Sequence, residues 1–122
     1  MKQHEKINYV EFHSRDLSAT KAFFTAAFGW SFTDYGPDYC DFSGEGLDGG
    51  FFFSETVLTA DHGAPLIVFY SENLEASLQS VRASGGEISR EIFDFPGGRR
   101  FHFLEPGGNE LAVWTALDST DA

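Results

Sequence analysis

The chain has 122 residues, 42% of them apolar and 14 of them Phe, which fits a single domain with a sizeable core. Its formal charge of −11 argues against nucleic acid or an anionic membrane as partners, because an acidic surface repels phosphate. The lone cysteine, Cys40, forms no internal disulfide and the start of the chain has no long apolar segment, so we expect a cytoplasmic protein without signal peptide or membrane anchor.

The first half of the chain predicts a strand, a helix and three further strands. Residues 7–13 alternate between polar and apolar as a half-buried strand does. Asp16 is a suitable N-cap for the helix that follows, and Gly29 stands where a left-handed residue ends a helix. Short strands separated by glycine-containing turns are then predicted at residues 30–35, 39–43 and 50–54.

The second half repeats this order after a polar linker at residues 55–65. A strand is predicted at residues 66–70 and a helix at residues 74–84, capped by Asn73. Three strands complete the second half, at residues 88–95, 100–104 and 109–115. The tail from Asp118 is expected to fray.

The two halves match each other in register, so that Phe12 falls on Phe69 when the second half is laid over the first. A small repeated unit rarely buries its apolar face alone. We therefore expect two modules, about residues 7–54 and 66–116, in one domain that spans residues 1–122. A binding site is expected between them.

Three motifs carry a resemblance to a known family: VEFHSRDLSATKAFFTAAFGW, SENLEASLQSVRASGG and FHFLEPGGNELAVW. In this order and spacing the chain, from about residue 7 to residue 117, resembles the vicinal oxygen chelate superfamily of glyoxalases, bleomycin resistance proteins and dioxygenases. It is similar in particular to glyoxalase-like proteins related to lactoylglutathione lyase. The resemblance implies an α+β fold in which two βαβββ modules form an open, curved barrel of mixed sheets, whose inside we call the cup.

The metalloenzymes of that family hold one divalent ion in the cup, which acts as a Lewis acid on substrate oxygens. Carried onto this sequence, the ligand positions fall on Tyr9, Leu66 and Ala112 and within residues 49–53. Leu and Ala have no donor atom, and divalent ions need several N, O or S ligands. We therefore predict a cup without a metal or another cofactor.

Alternation along the strands predicts which side chains face the cup: Tyr9, Glu11, Leu66, Val68, Tyr70, Glu110, Ala112 and Trp114. A mostly apolar lining with a few polar groups is typical of a pocket for a small molecule, although the same side chains would also simply fill a barrel. Arg99, Arg100 and His102 are expected near the mouth, where an anionic group or solvent would meet them.

Two functions from different classes remain open. One is a metal-independent protein that binds a small aromatic or cationic compound, as bleomycin-resistance members of the family do. The other is a glyoxalase-like enzyme, either with Tyr9 and a carboxylate as acid and base or as a metal-dependent lyase or dioxygenase with displaced ligands. The displaced ligands would be Glu11, His13, His102 and Glu110. A homodimer is expected in either case, because family members commonly dimerise and a second copy covers open sheet edges.

Overall fold

The computed structural model describes residues 2–117, so the predicted fraying from Asp118 lies outside the described residues. Each half of the chain forms four strands and one helix, and a turn of 3-10 helix at Ala60–His62 lies in the linker between them. Neither helix described in this part of the chain is long and apolar enough to cross a membrane. The first module contains β1 (Tyr9–Ser14), α1 (Leu17–Phe28), β2 (Thr33–Asp34), β3 (Tyr39–Glu45) and β4 (Leu47–Phe53), and the second contains β5 (Ile67–Tyr70), α2 (Leu74–Ala83), β6 (Glu87–Phe95), β7 (Gly98–Leu104) and β8 (Glu110–Ala116).

The two sheets have the same topology, with strand orders β1-β4-β3-β2 and β5-β8-β7-β6. In each sheet the first strand runs parallel to the last, and the remaining neighbours are antiparallel. β1 and β5 are thus edge strands, and neither sheet closes on itself. The predicted α+β fold of repeated βαβββ modules is confirmed.

Both helices begin where the sequence predicts. The Asp16 carboxylate accepts a hydrogen bond from the Ala19 N–H at 3.0 Å, and the Asn73 side chain accepts one from the Ala76 N–H at 3.1 Å. Each bond satisfies a backbone donor that the first helical turn leaves free. α1 ends at Gly29, whose φ of 77° is the left-handed conformation that glycine adopts without a steric cost.

One aromatic-rich core joins the two modules. Phe23 of α1 is 1% exposed, and its ring centroid lies 5.7 Å from that of Phe103 on β7. Trp30, which follows α1, stacks on Phe69 of β5 at 5.8 Å. Because these contacts cross from one module to the other, the apolar sides of both sheets are buried together with the helices.

The first strand after α1 is much shorter than predicted. The sequence predicts a strand at residues 30–35, whereas only Thr33–Asp34 pairs with a neighbour. Trp30 is 6% exposed and stacks on Phe24 at 4.6 Å, so burial of the indole holds this segment to the helix instead of the sheet. β4 begins at Leu47, earlier than predicted, because Gly46 at φ 94° makes a tight reversal after β3.

Candidate ligand-binding site

We call the side of the two sheets that is turned away from the helices the cup face. Val113 and Leu111 of β8 point into the core and are at most 1% exposed, whereas their neighbour Trp114 is only partly buried. Tyr9 of β1 and Tyr70 of β5 also lie on the cup face and are 42% and 51% exposed. The alternation of the strands therefore leaves large aromatic rings in contact with solvent on this face.

The predicted cup residues differ in accessibility and in strand pairing. Ala112 has no exposed surface. Leu66 precedes β5 and is partly buried, so it lies outside the regular strand pairing. Val68, by contrast, is 40% exposed and pairs in register with Ala112.

On the first module, two tyrosines and a carboxylate form a chain of hydrogen bonds. The hydroxyls of Tyr9 and Tyr39 are hydrogen-bonded to each other, and the Tyr39 hydroxyl donates to Glu11 Oε1 at 3.3 Å. Partial burial and the neighbouring Tyr9 and Glu11 raise the pKa of Tyr39 well above its usual range, so it stays a donor. Gly50 lies beneath the pair, where a Cβ atom would come within 2.6 Å of the Tyr9 hydroxyl oxygen.

On the second module, Glu110 is held by groups from three segments. Its Oε1 accepts a hydrogen bond from the Ala60 N–H of the linker at 3.0 Å, and its Oε2 accepts one from the Ser89 hydroxyl of β6 at 3.2 Å. His102 Nδ1 of β7 lies 3.4 Å from the same Oε2. Glu110 therefore fastens the linker to the sheet, a role that its place in the sequence does not reveal.

His102 is a buried imidazole with one nitrogen that lacks a partner. The residue is 8% exposed, and its Nε2 atom makes no hydrogen bond with the described residues. Burial lowers the pKa of His102, and the charges of Arg100 and Arg90 add to this effect, while Glu110 opposes it. The neutral ring is favoured, and donation of Nδ1–H to Glu110 leaves the lone pair on Nε2.

β6 and β7 add an arginine and aromatic surface beside Trp114. The Arg90 and Arg100 guanidinium carbons lie 3.7 and 5.3 Å from the centroid of the Phe93 ring. Phe95 approaches Trp114 at 6.2 Å between ring centroids. The residues of β6 were not predicted to face the cup, because the pairing of β6 with β7 shifts register on both sides of Arg90 and simple alternation fails there.

The predicted position of Arg99 is wrong. Its guanidinium donates to Glu75 of α2 at 2.6 Å, on the helix side of β7, and this bond lowers the pKa of Glu75. Consecutive residues of a strand point to opposite faces, so Arg100 lies on the cup face and Arg99 does not.

Two cavities lie along the seam between the modules. The first, of about 390 Å³, is lined by residues 10–13 of β1, by the linker and by Glu110 of β8. The second, of about 500 Å³, is lined by aromatic side chains such as Phe28 and by Tyr70 of β5. Both cavities lie between the edge strands β1 and β5, so side chains do not fill the seam completely. Each cavity has a volume within the range of small-molecule sites.

The family's metal-ligand positions do not fit a metal in this chain. Leu66 and Ala112 offer no donor atom, and the Tyr9 hydroxyl is engaged with Tyr39. In the strand that ends the first module, residues 49–53 consist of glycine and phenylalanine only. No metal-dependent step can therefore be derived from these positions.

The alternative, displaced metal site is not assembled either. His13 Nδ1 lies 3.0 Å from the Thr56 carbonyl oxygen, whereas His102 Nδ1 lies 3.4 Å from Glu110 Oε2. The two histidines therefore have different partners. Within residues 2–117, no group of three or more His, Cys, Asp or Glu side chains is placed to hold a metal ion.

Comparison with known proteins identifies relatives of this fold. A sequence model described as the Glyoxalase/Bleomycin resistance protein/Dioxygenase superfamily matches residues 6–113. The chain is 29% identical over 124 aligned residues to the anthracycline biosynthesis protein DnrV of Streptomyces peucetius; the match covers 87% of this chain but only 45% of that protein.

Two solved structures share the architecture. One is a glyoxalase-related enzyme from Fulvimarina pelagi, with a TM-score of 0.76 and 17% identity over 91% of this chain and 88% of that chain. The other is a glyoxalase/bleomycin resistance protein/dioxygenase family enzyme from Burkholderia phytofirmans PsJN, with a TM-score of 0.75 and 20% identity over 90% and 98%. At such identity the likeness is one of fold.

Proposed function

This chain belongs to the glyoxalase/bleomycin resistance protein/dioxygenase superfamily, and we propose that its cup face binds a small aromatic molecule without a metal. The observation that carries the proposal is the exposed aromatic surface of the second module. The ring centroids of Tyr70 and Trp114 lie 5.3 Å apart, and Tyr70 is 51% exposed. A planar ligand stacked on these rings would remove a large apolar area from water.

The relative from Streptomyces peucetius supports an aromatic ligand, since it is described as an anthracycline biosynthesis protein. Anthracyclines contain a planar anthraquinone, which suits a surface built from Trp and Tyr rings. This chain spans less than half of that relative, so the proposal concerns the class of ligand and not a reaction.

Tryptophan fluorescence tests the proposal, because the two tryptophans occupy different places. Trp30 is buried in the core, whereas Trp114 lies on the cup face. A Trp30→Phe variant makes Trp114 the sole reporter, and we expect saturable quenching when it is titrated with neutral hydroxymethylanthraquinone. In the wild type, Trp114→Leu should weaken binding about tenfold, measured by calorimetry, through loss of the stacking surface.

The matched control is Trp30→Phe itself, which should bind the probe as the wild type does in calorimetry. The proposed function would be overturned if the probe, up to its solubility limit, neither quenched Trp114 in the Trp30→Phe variant nor shifted the melting temperature of the wild type. Binding that Trp114→Leu leaves unchanged would place the ligand elsewhere.

The metal-dependent lyase or dioxygenase is the alternative, and metal analysis separates it from the binding proposal. Protein purified without chelators should contain no stoichiometric zinc, nickel, iron or manganese. A stoichiometric metal that Glu110→Gln removes would contradict the metal-free proposal. The relation to lactoylglutathione lyase remains a proposal about descent and implies no shared activity here.

A homodimer in the cytoplasm remains part of the proposal. Support for the dimer comes from β6, a nine-residue strand at the outer edge of its sheet, and from the exposed Tyr35, Phe53 and Leu58. Light scattering at micromolar concentration should give twice the monomer mass, and a monomer mass would contradict the proposed dimer.

The proposed cytoplasmic location is supported by Cys40, which is free and buried and fits a reducing compartment.

A further inference from the structure

We propose that the ligand of the cup face is an aromatic carboxylate, whose carboxylate binds Arg100 and Arg90 while its ring lies against Trp114. This inference rests on the proposed function and specifies the chemical class of the ligand. A cationic ligand is the alternative class, and its polar contacts would be Glu11, which is exposed, and Glu110, whose two oxygens already accept hydrogen bonds from the protein.

Two arginines of the cup face lack an acidic partner in the described part of the chain. The chain has 19 acidic residues and only 8 Lys and Arg, and three of these eight cations form ion pairs with carboxylates. Arg82 and Arg99 do so, with ion pairs of 2.7 and 2.6 Å. In contrast, neither Arg90 nor Arg100 has a carboxylate within salt-bridge distance among residues 2–117. These two cations share the cup face.

The two guanidinium groups lie against the same aromatic ring. Both approach the Phe93 ring, Arg90 at 3.7 Å and Arg100 at 5.3 Å. Contact with a ring face attracts a cation but does not neutralise it, so the two positive charges repel each other. A carboxylate that contacts both groups would offset both charges, and the planar arginine fork matches its two oxygens.

Two buried side-chain nitrogens near Phe93 lack partners among the described residues. Arg100 Nε and His102 Nε2 make no hydrogen bond with the described residues, and the two side chains lie on one face of β7. Buried polar atoms are normally paired. A carboxylate would accept a hydrogen bond from Arg100 Nε–H directly, and one from His102 Nε2 once the imidazole takes up a proton. Arg90 is exposed and lies opposite His102 in register, so its movement would admit the anion.

The aromatic part of the ligand has its place beside these groups. Trp114 lies directly opposite Arg100 in the pairing of β7 with β8, and opposite Tyr70 in the pairing of β8 with β5. Phe95 closes the other side, with the Arg100 guanidinium 5.5 Å from its ring centroid. A ring on Trp114 therefore carries a substituent to Arg100 without leaving the cup face.

Two probes that differ only in charge test the inference. Calorimetric titration of the full chain with anthraquinone carboxylate and with anthraquinone carboxamide should show at least about tenfold tighter binding of the carboxylate, the scale of a hydrogen bond to a charged group. Arg100→Met should abolish this preference, and Arg100→Lys should restore only part of it. Arg99→Met is the matched control, since its side chain faces α2, and it should keep the preference.

The outcomes separate the inference from the proposed function. Equal binding of both probes, unaffected by Arg100→Met, would overturn the carboxylate while leaving aromatic binding intact. Failure of both probes to bind would overturn the proposed function as well. Competition by inorganic phosphate at the same concentration as the aromatic carboxylate would show a general anion site and would also overturn the inference.

A second measurement does not depend on an arginine variant that folds. A carboxylate beside His102 favours the imidazolium form, so NMR titration should show a higher His102 pKa in the carboxylate complex than in the free protein. The groups that face this ring are Arg90, Arg100 and Glu110, and the carboxamide leaves their charges unchanged. An unchanged His102 pKa with saturating carboxylate would contradict the proposed contact.

Discussion

The Thr20 hydroxyl of α1 donates a hydrogen bond of 2.8 Å to Glu105 Oε1, which joins residues 85 positions apart. Glu105 is 2% exposed and also accepts bonds of 2.6 Å from the Gly107 N–H and from Asn109 Nδ2. Asn109 Nδ2 in turn donates to the His13 carbonyl oxygen at 2.7 Å. The turn before β8 is thereby tied to the end of β1, which fixes how the two modules meet at the seam.

Replacing Glu105 with Gln should destabilise the protein by about 1–3 kcal/mol, because an amide nitrogen would face donors that now share carboxylate oxygens. Urea unfolding at pH 7 measures the change. Thr20→Val removes only one of the donors and should cost less. A Glu105→Gln protein as stable as the wild type would show that these bonds contribute nothing net.

The same pair of proteins makes a prediction about pH. Burial raises the pKa of Glu105 above its usual value, despite the hydrogen bonds that oppose the shift. A carboxyl whose pKa is higher in the folded than in the unfolded state contributes stability at low pH and loses it as pH rises through the folded pKa. The advantage of wild type over Glu105→Gln should therefore grow as pH falls from 7 to about 5. An advantage that shrinks would contradict the raised pKa.

Gly97, in the turn before β7, and Gly98, the first residue of β7, should respond differently to alanine. A Cβ atom on Gly98 would collide with the Thr115 carbonyl oxygen of β8, whereas one on Gly97 would meet only a Phe95 ring carbon at 3.4 Å. Gly98→Ala should cost about 1–3 kcal/mol through backbone displacement, and Gly97→Ala much less. Thermal unfolding of both variants decides this, and equal melting temperatures would show that the backbone yields freely.

Most of the fold was predictable because its signals are local. The caps at Asp16 and Asn73, the left-handed Gly29 and the alternation along β1 and β8 each depend on residues close in sequence. The strand after α1 was not predictable, because the burial of Trp30 against both modules is a tertiary effect.

The candidate site was predictable only in part, for a related reason. Trp114 and Arg100 follow from strand alternation, but the shared ring of Phe93 depends on register shifts that no local pattern encodes. The engagement of Glu110 by Ala60 depends on where the linker lies in space. The contacts between elements that are distant in the chain could not be predicted from the sequence.

His102 should make the protein sensitive to mild acid. Its pKa is lowered by burial and by Arg100 and Arg90, against the effect of Glu110. A histidine with a depressed folded pKa contributes full stability above its unfolded pKa and loses it as pH falls through the folded value. Between pH 7.5 and about 5, wild type should therefore lose more stability than His102→Gln. Parallel urea midpoints for the two proteins over that range would argue against a lowered pKa.

The two predicted cup carboxylates should differ in their effect on stability. Glu110 is 13% exposed at its side chain and accepts bonds from Ala60 and Ser89, so Glu110→Gln should cost about 1–2 kcal/mol. Glu11 is exposed and accepts one bond of 3.3 Å from Tyr39, so Glu11→Gln should stay within about 0.5 kcal/mol of wild type.

Hydrogen exchange locates the effect as well as measuring it. The Ala60 amide donates to Glu110, so Glu110→Gln should speed exchange at that amide while Glu11→Gln leaves it unchanged. Because the linker lines the smaller seam cavity, loosening it at Ala60 should also change that cavity without touching the arginines of β6 and β7. Equal exchange at Ala60 in both variants would mean that other contacts hold the linker, and Glu110 would then be available to a ligand.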